Sequence, residues 1–99
     1  MRITSDQHQQ ILRVTQQHAP SDACVWLFGS RLDDSARGGD VDLMVRTDTP
    51  IDNPALLAAT LSSRISRAMH GRSVDVVLHA PNLVQLPIHD VALRNGVRL

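Results

Sequence analysis

Two short stretches, DVDLMVR over 40–46 and SVDVVLH over 73–79, alternate aliphatic side chains with others at a period of two. In a strand that period sends Val41, Leu43 and Val45 to one face and Asp40, Asp42 and Met44 to the other. The second stretch divides Val74, Val76 and Leu78 from Asp75, Val77 and His79 in the same way. Each stretch therefore calls for a sheet with one apolar face to bury and one face bearing aspartate. Between them, Leu57, Leu61, Ile65, Ala68 and Met69 recur at helical spacing and form a stripe able to cover the apolar face. Strand, helix and strand in this order make an α/β chain.

The remaining elements follow from similar signals. Residues 5–19 read as a helix capped by Ser5 or Asp6, with His8, Ile11, Leu12, Thr15 and Ala19 on one side and Pro20 at its end. Residues 23–28 are short and β-favouring, and Gly29-Ser30 ends them abruptly. A short helix is expected over 30–34 and a loop over 35–39. Asn53 caps the helix that starts at Pro54 and stops near Gly71. A last helix runs over 88–95, and Gly96 precedes a short extended tail. The expected order is α-β-α-β-α-β-α. Ninety-nine residues suit one domain over 1–99, with no room for a separate substrate-binding domain.

Composition narrows the chemistry. The 10 basic and 10 acidic residues cancel, so no bulk field draws the chain to nucleic acid or an anionic membrane. All the bases are Arg and all the acids Asp, so any carboxylate metal ligand must be an aspartate. Arg suits planar, bidentate phosphate contacts. The one cysteine, Cys24, lies in an apolar run with no cation beside it in sequence and reads as a buried structural thiol. A single cysteine, with no apolar run near the ~20 residues of a membrane span, points to a cytoplasmic protein. Trp26 and Phe28 are the only aromatics, too few for a base-stacking platform, and read as core. The five histidines lack the spacing of a zinc site, though His79 shares the expected face of Asp75.

If the two aspartate-bearing strands pair, Asp40, Asp42 and Asp75 converge. Three unneutralised carboxylates repel, and divalent cations relieve that repulsion. Mg²⁺ takes oxygen ligands, typically one or two carboxylates, and leaves sites for water and substrate phosphate. Such an arrangement suits two-metal phosphoryl or nucleotidyl transfer. Gly29-Ser30, directly after a strand, lets backbone N–H groups approach a phosphate, with the Ser30 hydroxyl and Arg31 as further donors.

The run LFGSRLDDSARGGDVDLMV resembles the signature of the DNA polymerase β-like nucleotidyltransferases: Gly-Ser, a spacer, then Asp-x-Asp among hydrophobics. Its size makes it similar to the minimal nucleotidyltransferases often paired with HEPN-domain proteins. RSVDVVLHA with its third Asp and the tail VALRNGVRL extend the likeness over most of the chain. Gly39 stands where the family often has Ser, and residues 32–37 lack a frequent second glycine. The resemblance implies a small mixed sheet with helices on one face and the active site on the other. It implies that Gly29, Ser30 and Arg31 bind the nucleotide phosphates. Asp40 and Asp42 would hold two Mg²⁺ ions, and Asp75 would complete the second site and help deprotonate the attacking hydroxyl. By the same resemblance the substrate is expected to be ATP and the acceptor a hydroxyl, that of a tyrosine, on a partner HEPN toxin, with the chain as antitoxin in a hetero-oligomer. Two other readings stay open: an antitoxin that neutralises by binding alone, and a small-molecule nucleotidyltransferase.

Overall fold

The computed structural model describes residues 3–29 and 41–99. The expected helix over 30–34 and loop over 35–39 lie outside the described residues. The described elements run α1 (Ser5–His18), β1 (Cys24–Phe28), β2 (Val41–Arg46), α2 (Pro54–Ala68), β3 (Val74–His79), α3 (Pro87–Asn95) and β4 (Val97–Arg98). The four strands form one mixed sheet in the order β3-β2-β1-β4. β1 is antiparallel to both neighbours, whereas β2 and β3 are parallel. Parallel neighbours require a crossover, and α2 is that crossover.

The period of two dictates what each face carries. Val25, Leu27, Val41, Leu43, Val45, Val74 and Leu78 turn to one face and are buried with Ile11 and Val14 of α1 and Leu61 and Ile65 of α2. This is the main core; the periodicities select Ile11, Val41, Leu43, Val45, Leu61, Ile65, Val74 and Leu78 of it, whereas Val14, Val25 and Leu27 join it from positions they left out. On the opposite face Phe28 and Met44 pack with Ala92 of α3, and Trp26, Val77 and Leu93 border them. α1 and α2 thus cover the first face as expected, and α3 adds a short cover across the middle of the second. The tail over 97–98 becomes a fourth strand on β1, where Leu99 N–H also donates to the Val25 carbonyl at 2.9 Å.

The local signals at the helix ends differ in detail. The cap of α1 is Thr4, one residue before the expected Ser5 or Asp6. Its hydroxyl accepts from Gln7 N–H at 3.1 Å while the Gln7 side chain accepts from Thr4 N–H at 2.9 Å, a reciprocal box that Ser5 has no Glu or Gln at the right spacing to make. Asn53 caps α2 as expected, accepting from Leu56 N–H at 3.2 Å. Past the last turn of α2, Gly71 has φ +83° and its N–H returns to the Ser66 carbonyl at 2.9 Å, so the glycine stops the helix. Among the described residues no helix is long and apolar enough to cross a membrane.

Candidate active site

The parallel pairing of β2 and β3 matches Asp42 with Asp75 residue for residue. Paired residues on neighbouring strands point the same way and stand roughly 4.8 Å apart at the backbone. Both carboxylates therefore rise side by side from the face opposite the main core. Asp42 is half-buried and Asp75 is exposed on the outermost strand. On its other side Asp42 is matched with Phe28, the last residue of β1, so Gly29 follows at the level of the carboxylate pair.

Gly29 adopts φ +78°, a left-handed conformation that favours glycine. A Cβ there would lie 3.1 Å from the Asp42 Cγ and closer still to its Oδ2. The strand end is thus pressed against the Asp42 side chain, and only a residue without a side chain fits. The expected neighbours Ser30, Arg31 and Asp40 lie outside the described residues. Beside Asp75, a cleft of about 450 Å³ runs between β3 and the hydroxyl-rich side of α2, lined by Ala59, Ser62, Ser63, Ser66 and Ser73. The Ser62 hydroxyl is held by the Val74 carbonyl and the Ser66 hydroxyl by the Arg72 carbonyl at 2.6 Å, which ties α2 to the start of β3.

The face behind this pair is layered. Cross-strand neighbours Trp26, Met44 and Val77 form an apolar row under α3. Beyond it come Cys24, Arg46 and His79, also cross-strand neighbours. His79 shares the face of Asp75 but stands four residues further along β3, about 13 Å away at 3.3 Å per residue. There its ring meets that of His89 edge-on, with centroids 4.7 Å apart. Burial holds the His79 imidazole below its ordinary value of 6.5, with His89 and Arg46 adding to the effect. Buried His89 accepts from Leu86 N–H through Nδ1 at 3.0 Å, and its Nε2 has no partner among the described residues. Cys24 departs from the expectation of an isolated buried thiol. It is half-buried, and β4 delivers Arg98, whose Nη2 donates to Sγ at 3.0 Å. The two residues are 74 positions apart, which is why no cation stands beside Cys24 in sequence.

Reading the sequence also missed Asp22, which fastens the β2–α2 turn. Its carboxylate accepts from the Thr47 hydroxyl, from Asp48 N–H at 2.8 Å and from the Thr49 hydroxyl at 3.2 Å. These bonds, led by the Thr47 hydroxyl, hold its carboxyl below the usual 3.8. The run Thr47-Asp48-Thr49 is the local sign of a turn with donors to offer, but nothing in sequence ties it to Asp22.

Two aspartates in cross-strand register fit a hard divalent cation. Among the described residues no group of three His, Cys, Asp or Glu side chains gathers, and Asp40, the expected third ligand, is outside them.

No protein-family model matches the chain, and no curated protein matches its sequence. Its architecture does find matches. A crystal structure of a mutant of the toxin–antitoxin MntA–HpeT aligns over 93% of this chain and 69% of its own, with a TM-score of 0.66 and 20% identity. The chain has the nucleotidyltransferase fold. A second crystal structure, of a toxin–antitoxin with AMP-PNP, aligns over 91% of this chain and 69% of its own, with a TM-score of 0.68 and 20% identity. In this nucleotidyltransferase fold, the aspartates of β2 and β3 and the glycine after β1 share one end of the open sheet face.

Proposed function

We propose that this protein is a Mg²⁺-dependent nucleotidyltransferase that moves AMP from ATP onto a hydroxyl group, the side chain of a tyrosine on a partner HEPN toxin, and so acts as an antitoxin. The observation that carries the proposal is the matching of Asp42 with Asp75 on adjacent parallel strands, against the left-handed Gly29. Likeness to toxin–antitoxin structures, one of them with AMP-PNP, supports the partner and the nucleotide.

Asp42 and Asp75, with Asp40, would hold the metal. When bound, Mg²⁺ neutralises the triphosphate and stabilises the charge that develops on the transferring phosphoryl group. Backbone N–H groups at Gly29 and Ser30, with Arg31, bind the terminal phosphates and orient them for departure as pyrophosphate. Asp75, exposed on the outermost strand, accepts the proton of the acceptor hydroxyl, which then attacks the α-phosphorus. As in other transfers of this kind, the protein's contribution is positioning and charge.

The test mixes the protein with Mg²⁺, labelled ATP and the product of the neighbouring gene. Label should pass to a tyrosine of that product. Asp42→Asn and Asp75→Asn should each slow transfer on the order of 10³-fold while leaving the fold intact. Absence of label on the partner, or wild-type transfer by both variants, overturns the reading.

A second reading, neutralisation by binding alone, is favoured by a specific observation. Val84, Leu86, Ile88 and Val91 stand exposed on α3 and the loop before it. Exposed apolar side chains gathered in one segment mark an interaction surface. Rescue of toxin-expressing cells by an Asp42→Ala/Asp75→Ala double variant decides between the two: full rescue assigns neutralisation to binding, and lost rescue assigns it to catalysis.

A further inference from the structure

The sheet face that bears Asp42 and Asp75 ends, beyond α3, in a second polar region. Two contiguous clefts of about 250 Å³ each share Arg46, Thr47 and Asp48. One is completed by Cys24, Trp26 and Arg98 and the other by His79 and Gln85. Strand pairing builds this region. Cys24 is matched with Arg46 and Arg46 with His79, while Arg98 is matched with Trp26 on the other side of β1. Arg46 and Arg98 thus stand on the strands either side of β1 and line one cleft with Cys24.

Their hydrogen-bonding capacity is largely unspent. A guanidinium carries five N–H donors and no acceptor. Arg98 gives one to Cys24 Sγ and lies 5.7 Å from the Trp26 ring centre. Arg46 has no hydrogen-bond or ion-pair partner among the described residues. Two carboxylates line the same clefts, and they do not meet this demand. Asp22 spends its oxygens on Thr47, Asp48 and Thr49, and Asp48 is exposed and pairs with neither arginine. What remains is donor capacity: the two arginines offer more N–H groups than the described residues engage. A lone carboxylate saturates one guanidinium fork, whereas a phosphate group presents enough oxygens for two.

We propose that Arg46 and Arg98 form a phosphate-binding site beside Trp26, separated from the carboxylate pair by α3. It takes a free phosphate or pyrophosphate ion or the phosphate of a mononucleotide, and it does so without a divalent cation. This site stands on the arginine geometry alone and holds whether or not the chain transfers nucleotides.

Trp26 is the only tryptophan in the chain, so its fluorescence reports directly on this cleft. The full chain is titrated with pyrophosphate and, separately, with AMP, in EDTA at constant ionic strength. A saturable change is expected, and the tighter of the two ligands names the source of the phosphate. Arg46→Gln should weaken binding about tenfold or more. Arg98→Gln, on the two-residue edge strand, should do the same and serves if Arg46→Gln misfolds. Arg13→Gln, which removes an arginine from α1 outside both clefts, should leave binding unchanged. No saturable change, an equal response to acetate, or unaltered affinity in both arginine variants overturns the proposal.

Discussion

Gly29 is the residue whose identity the site can least do without. A side chain at φ +78° costs about 1–2 kcal/mol in backbone strain alone. It would also displace the Asp42 carboxylate, whose Cγ lies 3.1 Å from the would-be Cβ. Gly29→Ala should therefore lower stability by about 2 kcal/mol, read from thermal unfolding, and cut transfer by much more than that loss explains. Wild-type transfer in a destabilised variant would show that Asp42 has room to move. His79 makes a different prediction. Its folded value lies below 6.5, so the folded chain resists taking the proton that the unfolded chain accepts. Stability from this source is complete above about pH 6.5 and falls as the pH drops below it toward the depressed value. His79→Gln should flatten that part of the stability profile. Asp22 gives the opposite kind of carboxylate case: its contribution is present above 3.8 and disappears as the pH falls through its lowered value.

Among the elements, the cap of α1 and the anchor of α2 separate stability from chemistry. Thr4→Ala removes a reciprocal cap far from the aspartates and should cost about 1 kcal/mol in denaturant unfolding with transfer unchanged. Ile65→Ala opens a cavity under the crossover helix and should cost about 3 kcal/mol. The strands and α2 were legible because their periods of 2 and 3.6 are written in Val, Leu and Ile, and burial enforces those periods. Asp42 and Asp75 were legible as face-mates of one another for the same reason. Arg98 beside Cys24, and Asp22 beneath the turn at Thr47, were not. Those contacts depend on which strands become neighbours, and pairing order leaves no trace in local spacing. His89 was hidden for a related reason, since a polar residue in a short helix reads as exposed until β3 and α3 close on it.

Across the molecule, α3 divides the open face into a carboxylate end and an arginine end, while α1 and α2 seal the other side. The register of β3 against β2 serves both the core and the chemistry. A slip of one residue would turn Asp75 beneath α2 and bring Val74 or Val76 out to face solvent. Burying an unpaired carboxylate among aliphatic side chains is far too costly for such a form to persist. A molecule that has closed its core has, by the same act, placed its aspartates correctly. Active-site titration of a partly refolded sample should consequently count the same molecules as a tertiary-structure probe does, with no folded but inert fraction between them.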